Sequence, residues 1–154
     1  MHRLVIAATA AGALSTSALA GPMFDRVSAS CFARSYGAEH LARSPAQRVT
    51  TISLTRDRTA PAAENSRQRF TVAIRFRTRD SRERFELNGI CTTAGAGAHC
   101  LGEGDTGEFR LSLQGELIRM EVVRLEVEGL GGDLTQSDDR VFLIPAAQPG
   151  ACGR

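Results

Sequence analysis

Along most of this chain apolar residues recur at every second position, the spacing of a strand with one covered face and one open face. The run Arg69 to Thr78 is the clearest: Phe70, Val72, Ile74 and Phe76 fall on one side, and Arg69, Thr71, Ala73, Arg75 and Arg77 on the other. A helix would scatter both sets around its axis. Further strands are predicted over Ser28 to Tyr36, Val49 to Arg56, Arg84 to Cys91, Glu108 to Leu113, Leu117 to Glu128 and Arg140 to Ile144. Two irregularities stand out. Asn88-Gly89 predicts a turn or bulge that shifts the register of its strand. In the long strand Ile118, Met120 and Val122 give way to Val123, Leu125 and Val127, a change of phase that predicts a bulge near Val122. A single short helix is predicted around residues 38–44, stopped by Pro45 because the residue before proline avoids the α region. Loops are expected at residues 59–66, 93–98, 102–107 and 129–139.

Seven or eight strands with turns about every ten residues predict an all-β, mainly antiparallel domain, either a barrel or a sandwich. The long bulged strand favours a curved meander closing as a barrel. The absence of Trp excludes the antibody-type Cys–Trp–Cys core.

The first twenty residues break the alternation. His2 and Arg3 precede an apolar run from Leu4 to Leu14, and Ala18-Leu19-Ala20 ends the segment with small residues. This is the layout of a cleaved signal peptide over residues 1–20, with Gly21 as the new first residue and residues 21–154 as a single β domain. The apolar run, about 11 residues, is short of the roughly 20 that a membrane span needs, and no cysteine follows the cut as a lipoprotein signal requires. The expected location is periplasmic or secreted, with no transmembrane span in the mature form.

All four cysteines, Cys31, Cys91, Cys100 and Cys152, lie beyond residue 20. An even count in an oxidising compartment reads as two disulfides, with three possible pairings. The expected pairing is Cys91–Cys100 across a hairpin, which leaves Cys31–Cys152 to tie the first strand to the C-terminal tail. C-x-x-C knuckles, which a zinc site would use, are absent.

Charge is unevenly laid out. All 19 basic residues are arginine. Residues 56–84 are arginine-rich, with only Asp57, Glu64, Asp80 and Glu83 as acids, whereas residues 101–139 carry ten acids against Arg110, Arg119 and Arg124. Arg67, Arg69, Arg75, Arg77 and Arg79 are therefore candidates for holding a polyanion such as lipopolysaccharide or anionic lipid, because guanidinium forks suit phosphate and carboxylate. The competing expectation is that Glu121, Glu126 and Glu128 pair with those arginines across strands. Nucleic acid is not expected as a partner, since export and the scarcity of aromatic residues on the arginine face both argue against it.

Motifs for chemistry are weak. Gly102-Glu103-Gly104-Asp105-Thr106-Gly107 has the letters of a nucleotide loop, but a strand follows it, so no helix N-terminus is offered to phosphate. Glu103, Asp105 and Glu108, and separately Asp133, Asp138 and Asp139, are weak candidates for calcium, although neither stretch has the loop spacing that ion prefers. His40 and His99 are the histidines available for acid–base work, and no G-x-S-x-G is present. No catalytic residue, resident metal or cofactor is assigned.

The stretch Cys31-Phe32-Ala33-Arg34-Ser35-Tyr36, followed by His40-Leu41-Ala42, Pro45, Gln47 and Val49, resembles a group of small, uncharacterised exported proteins of alphaproteobacteria that share a C-x-x-R-x-Y…H-L-A…P-x-Q-x-V opening. Cys100 before a Gly- and acid-rich turn, Gly107-Glu108-Phe109, Asp138-Asp139-Arg140-Val141-Phe142 and the late Cys152 extend the resemblance. It implies export, β structure and paired cysteines, and supplies no activity. In that group a histidine often precedes the proline. Ser44 stands there instead, so a metal site built on His40 and a second histidine would be incomplete.

The function expected from these features is that of a non-catalytic periplasmic or secreted protein that binds a small ligand or a partner, an envelope component or another periplasmic protein. Polyanion binding through the arginine-rich strand is one alternative, and a small secreted hydrolase using loop carboxylates is another.

Overall fold

The structure, a computed structural model, describes residues 22–152. The expected leader, residues 1–20, and its cleavage point lie outside the described residues. The described residues open with helix α1 (Pro22–Ala29), then strand β1 (Cys31–Ser35), helix α2 (Ala38–Arg43), β2 (Val49–Arg56), β3 (Arg69–Thr78), β4 (Arg84–Ala94), β5 (Gly97–Gly102), β6 (Gly107–Gln114), β7 (Leu117–Leu125), β8 (Val141–Ile144) and β9 (Ala146–Ala147). The strands form one antiparallel sheet in the order β8-β7-β6-β5-β4-β3-β2-β1-β9.

The two ends of that order are successive pieces of chain. β8 is hydrogen-bonded to β7, and after Pro145 the same segment, as β9, pairs with β1. Ala33 donates its N–H to the Pro145 carbonyl at 3.0 Å, stitching the seam between them. The meander is therefore wrapped into a nearly closed barrel, which leaves little open edge for unwanted pairing.

Alternation decides what fills it. Phe32, Leu54, Phe70, Val72, Ile74, Phe76, Phe109, Leu111, Ile118, Met120, Phe142 and Ile144 point inward and belong to one buried cluster. The barrel interior is a packed core. Helix α1 lies against β1, β2, β5 and β6 at one end. It buries Met23 and Val27, spaced i and i+4, while Phe24 meets Phe70 edge-on at 5.7 Å. The Arg56 guanidinium covers the outer face of Phe24 at 4.3 Å, so the plug is capped by a cation–π contact.

Both disulfides are present as expected. Cys91–Cys100 sits inside the β4–β5 hairpin, and Cys31–Cys152 fastens the C-terminal turn onto β1. The expected bulge is also found. Glu108 faces Arg124 and Phe109 faces Val122, which leaves Val123 as the extra residue of β7.

Several expectations are corrected. There are nine strands rather than seven or eight, and two α-helices rather than one. β5 is a strand that the sequence does not predict: the expected loops 93–98 and 102–107 overlap both its ends, where glycines bound it, and only Ala98 and Cys100 turn inward. β9 is two residues long and shows no alternation. α1 has just two buried positions to mark it. The strand expected over Leu117 to Glu128 ends at Leu125. Asn88-Gly89 does not shift the register, since β4 pairs with β3 without interruption. Gly89 is instead an inward position left empty for the Phe109 ring, which a Cβ there would strike. Glu121, Glu126 and Glu128 do not face the arginines of β3, because β4, β5 and β6 stand between that strand and β7. Glu121 takes Arg119 on its own strand at 2.6 Å.

Two stability outcomes follow. Replacing Cys31 and Cys152 together by Ala should cost up to about 5 kcal/mol in urea unfolding, from loop-closure entropy over their separation of 121 residues. Gly89→Val should cost about 1–3 kcal/mol by overpacking; an unchanged urea midpoint would mean that the Phe109 ring has room to move.

Candidate functional site

Residues 34–47 and 138–143 lie far apart in sequence, yet the fold gathers many of them at the barrel end opposite α1. Strand alternation places Arg34 in phase with the inward Phe32, at the rim where the barrel opens. Tyr36 follows as β1 ends, its N–H bonded to the Thr50 carbonyl at 2.9 Å. α2 follows and brings His40 against Tyr36. The return chain supplies Gln47, and the segment before β8 supplies Asp138 and Asp139. These residues, with Ser44 and Val141, Phe142 and Leu143, line a hollow of about 330 Å³.

Arg34, Tyr36 and His40 touch one another along its lining. The Arg34 guanidinium lies 4.9 Å from the centre of the Tyr36 ring, and the Tyr36 and His40 ring centres are 4.8 Å apart. Arg34 Nη1 donates to the Leu143 carbonyl at 2.8 Å, which fixes the fork against β8. Gln47 is buried, and its Nε2 donates to the Val49 carbonyl at 2.8 Å, so its Oε1 is the acceptor facing His40 Nε2 at 2.8 Å. That orientation makes Nε2 the donor, and in the neutral ring Nδ1 is then an acceptor. The hollow thus joins guanidinium donors to an imidazole acceptor on an aromatic platform.

Asp139 is only 1% exposed and belongs to the scaffold. Its carboxylate accepts from the N–H groups of Arg48 at 2.6 Å and Val49 at 3.1 Å, and from Ser137 Oγ at 2.7 Å. It anchors the start of β2 to the chain entering β8, as a buried carboxylate must be anchored by donors. Burial pushes the Tyr36 hydroxyl above its usual range; the Arg34 charge pulls it back, and the Asp139 charge adds to the rise.

The five candidate arginines do not form one strip. Arg67 pairs with Asp25 at 2.8 Å and Arg69 approaches Glu64 at 3.8 Å, at the α1 end of β3. Arg75, Arg77 and Arg79 lie toward the other end. Arg75 grips Glu86 through Nε and Nη2 at 2.9 and 2.8 Å, and Arg79 donates to the Leu41 and Ser44 carbonyls, capping α2. Glu103 and Asp105 occupy a tight turn between β5 and β6, held by Arg124, which donates to the Asp105 carbonyl at 3.0 Å. Asp133 accepts from the N–H groups of Leu125 and Thr135. Among the described residues no three His, Cys, Asp or Glu side chains converge as metal ligands. His99 meets Glu108 at 2.8 Å, both partly exposed on neighbouring strands, while His40 lies in a hollow but is paired with an amide.

The histidine–carboxylate pair and the concave site, which a hydrolase would combine around one histidine, are thus divided between His99 and His40. Arg34, Tyr36 and Gln47 were not singled out as site residues from the sequence. The available signal was the Arg-x-Tyr spacing on one strand, with polar residues standing where inward apolar ones are expected. No protein-family model matches the chain, and no curated protein or solved structure matches it.

Tyr36 is the single tyrosine and there is no Trp, so absorbance near the tyrosinate band reports on this hollow alone. Its titration midpoint should lie above the ordinary value of about 10, and Arg34→Ala should move it higher still. A phenol whose folded pKa is raised contributes stability that is present below the unfolded pKa and lost as pH rises through the folded one. A midpoint at or below that of free tyrosine would contradict the burial of the ring.

Proposed function

We propose that this chain is an exported, non-catalytic binding protein of the periplasm or the extracellular space, and that its ligand, or a partner's side chain, seats in the rim hollow over Arg34, Tyr36 and His40. The observation that carries this reading is the contrast between a packed interior and a polar hollow at the mouth, where donor, acceptor and aromatic face are held ready. Two disulfides fit an oxidising compartment. Among the described residues no helix is long and apolar enough to cross a membrane. The kinship proposed from the sequence motifs adds support of a different kind, since Arg34, Tyr36, His40, Gln47 and Asp139 come together here.

The chemistry of the hollow favours a group that accepts from a guanidinium and donates to an imidazole, such as a hydroxy acid or an amide-bearing peptide end. The test is a titration of the isotope-labelled, disulfide-bonded protein with a panel of small hydroxy acids and short peptides, followed by amide chemical shifts. Shifts confined to residues 34–47 and 138–143, and abolished in Arg34→Ala, are expected. Saturable shifts that avoid those residues, or turnover of any added compound, would refute the proposal.

A further inference from the structure

The seam that closes the sheet is shut at one end and open at the other. Away from the rim, β9 pairs with β1, and the Ala33 N–H reaches the Pro145 carbonyl at 3.0 Å. Among the described residues that is the last backbone hydrogen bond between the two sides before the rim. Beyond it β8 and the end of β1 part. The hollow of about 330 Å³ lies between them, with Arg34 and Tyr36 on one side and Val141 and Leu143 on the other.

In an antiparallel pair, every second residue of an edge strand turns its N–H and C=O away from its neighbour. Val122 donates to the Arg140 carbonyl at 2.8 Å, and Met120 stands opposite Phe142, so Arg140, Phe142 and Ile144 serve β7. Val141 and Leu143 therefore turn their backbone groups toward β1. The Leu143 carbonyl agrees with this, since it takes Arg34 Nη1 at 2.8 Å. Within the opening there remain the Val141 carbonyl, an acceptor, and the Leu143 N–H, a donor, neither with a backbone partner among the described residues. Val141 is 43% exposed, so the edge is open to solvent.

An acceptor and a donor two residues apart match one residue of a strand running in the same direction as β8, which offers its N–H to the first and its C=O to the second. A strand cannot run through the seam, because the Ala33–Pro145 bond shuts it and the interior beyond is packed. Only a chain end fits. Arg34, at the shut end, decides which: a carboxylate can take the Leu143 N–H on one oxygen and the guanidinium on the other, whereas an ammonium would be repelled.

We propose that the open seam captures the free carboxyl end of an extended peptide or protein chain. The end enters from the rim in the direction of β8, its last N–H on the Val141 carbonyl and its carboxylate between the Leu143 N–H and Arg34. The proposal rests on the rim hollow being the ligand site and narrows its occupant to a peptide carboxyl end. From Val141 to Leu143 the edge spans about 7 Å at roughly 3.3 Å per residue. That length suits one or two residues, so the site reads an end and not an internal sequence.

The experiment titrates the isotope-labelled, disulfide-bonded protein with acetyl-trialanine, with its carboxyl-amide form and with lactate, following amide shifts and hydrogen exchange. Acetyl-trialanine should saturate, with the Leu143 N–H shifted and protected from exchange. The amide form should bind about tenfold more weakly for want of the charged acceptor. Leu143→Pro removes an N–H that gives nothing to the β7 ladder, a place where proline is tolerated. It should bind acetyl-trialanine about tenfold more weakly than Leu143→Ala, which keeps the N–H, with circular dichroism showing both variants folded. Equal binding of the acid and amide forms, equal effects of the two Leu143 variants, or no saturable binding of acetyl-trialanine overturns the proposal. Self-association that shifts the Leu143 N–H with no peptide present would put a second copy in the seam and overturns it as well. Arg34-dependent lactate shifts at residues 34–47, with acetyl-trialanine failing to bind, would remove the peptide end and leave the rim hollow as the ligand site, so the two readings fall separately.

Discussion

The closure of the sheet depends on seven residues, 141–147, that serve two edges at once. Their first half satisfies the backbone groups of β7 and their second half those of β1. Pro145, which lacks an N–H, occupies the change of partner, where a missing donor is least costly. Without this handover β1 and β7 would both present unpaired backbone, and the inward faces would have no common volume to fill. With it, alternation in every strand becomes a statement about inside and outside, and one hydrophobic cluster holds the whole wall.

The two ends of the barrel then acquire different characters. One is plugged by the apolar side of α1 and sealed by Arg56 over Phe24. The other carries, at its edge, a helix of six residues with no buried position of its own. That helix is held by polar contacts: Arg79 to its last carbonyls, Gln47 to His40, and Tyr36 against the imidazole. A helix held by directional bonds more than by apolar burial leaves room for a hollow beside it, and the polar residues of the mouth therefore serve both as scaffold and as candidate contacts.

Much of this was legible in the chain. β2 and β3 keep the bounds and inward sets expected of them, although Thr71 and Ala73 on the other face of β3 are buried too and β2 carries an unforeseen register shift after Val49; the bulge in β7 was visible as a phase change, and the hairpin spacing of Cys91 and Cys100 implied their bond. What was hidden had physical reasons. Gly89 looked like a turn because a glycine's role as empty space depends on Phe109, twenty residues away and two strands over. The mouth was hidden because Arg34, Gln47 and Asp139 are polar residues in positions whose meaning comes only from closure. The partners of the arginines could not be read because strand order, not sequence distance, decides who faces whom: Arg75 found Glu86 on the next strand and not the acids of β7.

The bond between Cys31 and Cys152 also changes what damage to the chain means. It encloses every strand from β1 to β9 in one covalent ring. A protease that cuts one exposed connection, such as the turn between β3 and β4, would open the ring without releasing a fragment, and the strands on both sides of the cut would remain tethered in place. Survival in the presence of proteases would then depend less on resisting the first cut than on resisting a second one.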